Sequence, residues 1–187
     1  SKGEIELLRD AAPAFDRDAF LKGHQTPMFF SSAVNNFGVQ EVLDAHPTVK
    51  GWQVMNDMGG YMFPSYRGRW LPDTPGQRKI ALDRLRSWFP FSNSSPVEGI
   101  VEAIRTYYST GLRISLYVLG DEFTGDSIDE VLEEVDRLNR RDARGQQKVR
   151  IHGIGFPTLF SQPQYPQSTG IRFATLMRVL CERNGGA

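Results

Sequence analysis

Cysteine is nearly absent from the chain, and so are long apolar runs and any excess of charge. Cys181 is the sole cysteine among 187 residues, which excludes an internal disulfide and a cysteine-based zinc site. No apolar run approaches the ~20 residues of a membrane-spanning helix, and the first residues lack the apolar core of a signal peptide. The 22 cations balance 22 acids, so there is no broad electrostatic footprint for nucleic acid or an anionic membrane. We therefore expect a cytoplasmic protein.

Several chemical motifs are also missing. The sequence has no GxxxxGK[ST] phosphate loop, no GxSxG elbow, no HExxH pair and no Cys-His arrangement. These absences argue against GTP binding and against the common hydrolase sites. An enzyme would have to use Asp121, Glu122, His152 and Ser94, and His152 is better explained as a hydrogen-bonded core histidine. We expect a protein without enzyme activity.

The stretch 112–139 has the clearest pattern. An apolar run at 114–119, bounded by glycines, predicts a buried strand. Ser127 with Glu130 three residues later is a capping box and predicts the start of a helix. An apolar stripe at helical spacing follows at Ile128, Val131, Leu132, Val135 and Leu138. Strand, acidic turn and helix form half of a βαβ unit, and ligands of such folds bind where Asp121 lies, at the carboxyl end of the strand.

The rest of the chain alternates helices with strands. Helices are predicted at 3–12, 15–22, 39–47, 77–89, 96–108 and 173–183, strands at 26–33, 49–56 and 149–156, a returning hairpin arm at 61–70 and an irregular loop at 157–170. This alternation predicts a single α/β domain over residues 1–187, a three-layer, Rossmann-like fold whose mainly parallel central sheet has helices on both faces. Six cations cluster at 137–150, and we expect them to form a solvated helix end.

Six stretches carry a family resemblance through their order and spacing: WQVMND, GRWLP, SNSSPVEGIVEAI, ISLYVLGDEFTG, VRIHGIGF and FATLMRVLCERNGGA. Together, residues 48–187 resemble a von Willebrand factor A domain of the bacterial type. Such domains hold one metal ion, usually Mg²⁺, on three loops that carry Asp-x-Ser-x-Ser, a threonine and an aspartate. The resemblance places Asp121 in the third loop, and Ser94 or Ser95 where the threonine stands. Carboxylate and hydroxyl oxygens suit that hard cation.

The first of those three loops departs from the family pattern. The strand-helix stretch in its place, TPMFFSSAVNNFGVQEVLDA, puts Ser31, Ala33 and Asn35 at the ligand positions and lacks the charged ligand. The stretch 57–61 (DMGGY) has the aspartate and the length of the motif but neither of its serines. We therefore expect a degraded metal-ion-dependent adhesion site, with weak Mg²⁺ binding at best and no other cofactor. Its residues would be Asp121, Ser94, Ser95 and Ser31.

The first part of the chain carries a second resemblance, over GEIELLRDAAPAFDRDAFLKGHQTPMFFSSAVNNFGVQEVLDA. These residues, 3–46, resemble the end of the GTP-binding domain of a bacterial peptide-chain release factor GTPase. The resemblance aligns Ser32 and Ala33 with residues beside the guanine base, but the chain has neither the phosphate loop nor an Asn-Lys-x-Asp motif. We expect this segment, 1–47, to fill the first strand-helix slot of the A domain without binding GTP.

The expected function is a non-enzymatic protein-binding or scaffold module. We expect a protein partner, and neither nucleic acid nor a membrane. The alternatives are a recombined or engineered chimeric fold with no native ligand, a Mg²⁺-dependent A domain with a residual site, an enzyme that uses His152, and a translational GTPase fragment. An A domain has a further strand after its last helix, so we also expect an exposed sheet edge that is prone to pairing.

Overall fold

The computed structural model describes residues 38–89, 91–108, 112–125, 127–141, 145, 147–156 and 168–187. Within these ranges the chain forms five α-helices, one short 3₁₀ helix and two strands. The elements in order are α1 (Val39–Ala45), the 3₁₀ helix Pro64–Tyr66, α2 (Pro75–Leu85), α3 (Val97–Tyr107), β1 (Ile114–Gly120), α4 (Ile128–Leu138), β2 (Val149–Gly155) and α5 (Ser168–Arg183). No helix in the described ranges is long and apolar enough to cross a membrane.

The unit β1-α4-β2 forms as predicted from the sequence. The two strands pair in parallel, with Ile114 opposite Val149 and Gly120 opposite Gly155. Ser127 is the N-cap of α4, and its hydroxyl accepts a hydrogen bond from the backbone N–H of Glu130 at 3.2 Å. This cap satisfies one of the amides that the first turn leaves without an intrahelical partner. The acidic turn after β1 therefore lies at the carboxyl end of the sheet.

One face of the sheet carries the main core, which helices α3, α4 and α5 cover. The buried side chains of this core are Ile100, Ile104, Val118, Phe123, Val131, Leu132, Val135, Val149, Ile151, Phe173, Leu176, Met177, Leu180 and Cys181. Burying a large apolar side chain of this kind contributes about 1.5–3 kcal/mol. Helix α5 approaches β2 closely at Gly153, where an added Cβ would lie 3.0 Å from the Cβ of Met177.

The opposite face of the sheet contacts both ends of α1. Gly38 has a φ of 102°, and an added Cβ there would lie 2.5 Å from the Cδ2 of Leu119. At the other end, the Nε2 of His46 lies 2.7 Å from the phenol oxygen of Tyr117, whose ring stacks on His152 with centroids 4.7 Å apart. Helices therefore contact both faces of the small sheet. The larger three-layer sheet stays a prediction, because its proposed first strand at 26–33 lies outside the described residues.

The strands predicted at 49–56 and 61–70 are wrong. The structure has only isolated antiparallel bridges there, Trp52 with Leu71 and Met55 with Tyr61, and a 3₁₀ helix at Pro64–Tyr66. Pro64 lacks the N–H that a hydrogen bond of a β-ladder needs. In addition, the side-chain amide of Gln53 donates to the carbonyls of Tyr66 and Arg69 at 3.2 and 2.9 Å, so these carbonyls are bonded to a side chain and not to a strand. The region packs as a second apolar cluster with α1 and α2, formed by Leu43, Trp52, Met62, Phe63, Leu71, Ala81 and Leu85.

The outer edge of β2 is bonded at two places. The buried side chain of Asn139 donates to the carbonyl of Val149 at 2.6 Å and accepts from its N–H at 3.1 Å. Farther along the strand, the N–H of Gly153 donates to the carbonyl of Ala187 at 3.0 Å. The edge that the sequence predicts to be open to pairing is thus partly closed by the end of α4 and by the residues after α5.

Candidate functional site

Three loops meet at the carboxyl end of the sheet: 56–60, 91–96 and 121–125. The carboxylate of Asp57 accepts hydrogen bonds from the hydroxyl of Ser92 at 2.7 Å and from the N–H of Asn93 at 3.2 Å. Thr124, which follows β1, donates its hydroxyl to the carbonyl of Asn93 at 2.9 Å and its N–H to the carbonyl of Ser94 at 3.1 Å. The loop 91–96 is therefore bonded to both of its neighbours. We call these three loops the three-loop edge.

Glycines allow the first of these loops to pack against α3. The N–H of Gly99 donates to the carbonyl of Asp57 at 2.6 Å. An added Cβ at Gly99 would lie 2.8 Å from the carbonyl oxygen of Asn56, so no larger residue fits without a shift of the backbone. Gly59 has a φ of 80°, in the left-handed region that favours glycine. The side chain of Asn56 completes the turn, since its oxygen accepts from the N–H of Gly60 and its NH₂ group donates to the carbonyl of Phe91 at 3.0 Å.

The serine loop is held in an unusual backbone conformation. Ser94 has a φ of 55°, which costs about 1–3 kcal/mol for a residue other than glycine. The N–H of Ser94 donates to the hydroxyl of Ser92 at 3.1 Å, and the N–H of Ser95 donates to the side-chain oxygen of Asn93 at 3.1 Å. The NH₂ group of Asn93 in turn donates to Glu98 at 3.0 Å. Local side-chain bonds therefore offset the strain and fix the shape of the loop.

The loop that contains Asp121 lies beside the loop that contains Ser94 and Ser95, because Thr124 bonds to the carbonyls of Asn93 and Ser94, and the predicted metal site itself stays a prediction. Ser31 lies outside the described residues. Among the residues that the structure does describe, there is no group of three or more His, Cys, Asp or Glu side chains that could hold a metal ion. Asp57 is not among the residues predicted for the site, although its carboxylate bonds to Ser92 and Asn93 of the serine loop. The Asp-x-Gly-Gly turn is the only local signal for that role.

The histidine considered for catalysis has neighbours of a different kind. The Nδ1 of His152 accepts from the N–H of Ala187 at 3.3 Å, and its ring stacks on Tyr117. Burial, with the charges of Arg150 and His46, lowers the pKa of His152 below its ordinary value. These contacts fit the prediction of a hydrogen-bonded, structural histidine. They lie on the face of the sheet that contacts α1.

The surface of the three-loop edge combines acidic and apolar groups. Asp57, Glu98, Asp121 and Glu122 belong to the loops or to the first turn of α3. Two aromatic side chains beside the serine loop are the most exposed large apolar groups in the described chain, Phe89 at 76% and Phe91 at 77%. Met58, in the neighbouring loop, is 44% exposed. The acidic and aromatic side chains therefore project from, or lie next to, loops whose backbone is fixed by hydrogen bonds.

Comparisons with known proteins match one part of the chain. A stretch of 45 residues is 76% identical to peptide chain release factor 3 of Bordetella petrii, and it covers 24% of this chain and 8% of that protein. Release factor 3 of Nitrosomonas europaea is 68% identical over 44 residues, with the same two shares. The match supports the release-factor resemblance of the first segment, and the chain spans less than a tenth of the length of these relatives.

No protein-family model matches the chain, and no solved structure matches it. The resemblance of residues 48–187 to a von Willebrand factor A domain therefore stays a prediction. The same holds for the metal site that the resemblance implies, and for the idea that two segments of different origin share one sheet.

Proposed function

We propose that this chain is a non-enzymatic protein-binding module whose three-loop edge docks a segment that carries an apolar side chain next to a lysine or arginine. The observation that carries the proposal is the exposure of Phe89 and Phe91, at 76% and 77%, beside an ordered loop. Aromatic side chains supply much of the energy at protein interfaces, so strongly exposed aromatic groups beside a hydrogen-bonded loop are candidates for contact with a partner.

The bonds beneath the aromatic pair favour binding. Asn56 holds the carbonyl of Phe91, and Asp57 holds Ser92 and Asn93 immediately after it. A surface fixed before the partner arrives loses little conformational entropy on binding, so more of the contact energy appears as affinity. Asp57 and Glu98 bond to Ser92 and Asn93, directly after Phe91, and their carboxylates give this edge the sign that selects a cationic segment.

A metal ion has a secondary place in this proposal. The carboxylate of Asp57 is already bonded to Ser92 and Asn93, and the carbonyl of Ser94 is bonded to Thr124. Mg²⁺ would have to compete with these bonds, and it gives up its own water ligands reluctantly. We expect weak Mg²⁺ binding at most. Calorimetric titration that finds tight Mg²⁺ binding, lost in Asp121→Ala, would contradict this part of the proposal.

Peptide display against the immobilised chain tests the docking surface. We expect enrichment of peptides with a large apolar residue adjacent to lysine or arginine. The double variant Phe89→Ser/Phe91→Ser should bind a selected peptide about 30-fold more weakly, since loss of an interface hot spot costs about 2 kcal/mol. Ile80→Ser removes another exposed apolar residue, 54% exposed, from α2 and should leave affinity unchanged.

Two outcomes would overturn this assignment. If no peptide is enriched, the chain is better described as a chimeric fold without a native ligand. If the double variant and the matched Ile80 variant bind equally well, the peptides recognise some other surface. The thermal unfolding midpoint of each variant, measured in parallel, separates loss of binding from loss of folding, because all three substituted side chains are exposed.

A further inference from the structure

The end of the sheet opposite the three-loop edge contains a basic cavity. Its volume is about 300 Å³, and it lies where β1 and β2 begin. Arg113 and Lys148 immediately precede the strands, and Arg150 is the second residue of β2. Gln147 and Asn184 also line this space. Three cations thus surround a concave space of the size that small ligands occupy.

The positive charge here exceeds the nearby acidic charge. Among the described residues that line the cavity, Arg113, Lys148 and Arg150 are cations and none is an acid. Two acids of α4 are engaged by other arginines, since Glu134 pairs with Arg105 and Arg137, and Asp136 pairs with Arg183 at 2.7 Å. A second concave space of about 330 Å³ shares the residue Gln147 with the first, and it is lined by Arg140, Arg141 and Arg183 and by the acid Asp136, which pairs with Arg183. Cations therefore outnumber acids along both spaces.

One of the cations has a fixed position. The ammonium group of Lys148 lies 4.7 Å from the ring centroid of Tyr108, and the Tyr108 hydroxyl donates to the carbonyl of Arg140 at 3.0 Å. The floor of the cavity is also rigid, because Asn184 is fully buried and bonded to Asn139 at 2.7 Å. A cationic, pre-positioned cavity suits an anion with several negative oxygens.

We propose that this cavity binds a small multivalent phosphate, such as a pyrophosphate group. Several close cations favour a ligand with more than one charge, and the two spaces that share Gln147 leave room for more than one phosphate. Nucleic acid fits less well. The chain has no net charge, and the acidic three-loop edge lies only about 20 Å away, the length of a seven-residue strand.

Titration of the whole chain with pyrophosphate by calorimetry tests the proposal. We expect Lys148→Gln/Arg150→Gln to weaken binding at least about tenfold, since two charge-assisted contacts with the anion are lost. The matched control is Lys79→Gln/Arg86→Gln, which removes the same charge from exposed positions on and just after α2. It should leave affinity unchanged. Arg113→Gln offers a second test if the double variant unfolds.

Three results would overturn the proposal. The first is the absence of measurable pyrophosphate binding by the intact chain at low salt. The second is an equal loss in the cavity variant and in the control variant, which would indicate a general charge effect. The third is a short RNA that binds more tightly than pyrophosphate and with a steep salt dependence, which would make nucleic acid the occupant.

Discussion

Replacement of Asn139 by alanine tests most directly how the end of the sheet is held. The Asn139 side chain is 2% exposed and makes three hydrogen bonds. It donates to the carbonyl of Val149 and to the side-chain oxygen of Asn184, at 2.6 and 2.7 Å, and it accepts from the N–H of Val149 at 3.1 Å. A single amide therefore supplies both backbone bonds that a neighbouring strand would otherwise give Val149.

The expected effect is large because alanine leaves three buried polar groups without their partner. Each such group costs about 1–3 kcal/mol when it is left unsatisfied. Water that enters the space left by the amide recovers part of this, so we expect the free energy of unfolding to fall by about 3–6 kcal/mol. That is a large share of the roughly 5–15 kcal/mol typical of a domain.

Denaturant unfolding followed by circular dichroism measures this loss. Thr175→Ala is the control, because it removes an exposed hydroxyl that bonds to the carbonyl of Ile171 within α5, and it should cost less than about 1 kcal/mol. In a double-mutant cycle, Asn139→Ala and Asn184→Ala should be strongly non-additive, since the two amides bond to each other. A loss in Asn139→Ala no larger than the control would refute the reasoning.

Three further predictions follow from close contacts and buried groups. Gly99→Ala should destabilise the chain by about 1–3 kcal/mol, because its Cβ would collide with the carbonyl oxygens of Asn56 and Asp57. The same unfolding assay measures this loss. An unchanged free energy of unfolding would mean that the loop 56–60 does not pack against α3 as described. The pKa of His152 is lowered mainly by burial, so the unfolded chain binds a proton at a higher pH than the folded chain does. The free energy of unfolding should therefore fall as the pH drops below about 6.5. In His152→Gln this fall should be shallower. Burial also raises the pKa of the Cys181 thiol, so a thiol reagent should modify the folded chain far more slowly than the unfolded one.

The parts of the fold that could be predicted from sequence are those fixed by local signals. The strand at 114–120 has glycine at its end, and α4 has its cap at Ser127, so both elements lie where the pattern places them. Helix α5 begins at Ser168, five residues before the predicted start at Phe173. Gly170 disfavours a helix locally, but tertiary bonds hold the first turn: the carbonyl of Thr169 accepts from the N–H of Phe123, and Arg172 donates to the carbonyl of Gly125.

The candidate site could be predicted only in part, for a related reason. Asp121 follows a strand, so the general rule for α/β folds places it at the ligand edge. The bond between Asp57 and Ser92 joins residues 35 positions apart, and no periodicity or turn signal encodes it. The sequence also does not predict the exposure of Phe89 and Phe91, because the preceding residues have the pattern of a helix with a buried face. Helix α2 ends at Leu85, before these residues.

The net charge of the chain is zero, but its acidic and basic side chains are concentrated at different ends of the sheet. Equal numbers of cations and acids exclude a broad field, yet the acids of the three-loop edge and the cations of the basic cavity stand at opposite ends of the same two strands. At about 20 Å apart, the two ends are separated by more than a Debye length at physiological salt, so the charges at one end have little effect on the binding proposed for the other. Charge variants at one end should therefore leave binding at the other unchanged. A protein segment and a phosphate could then bind to one small chain independently.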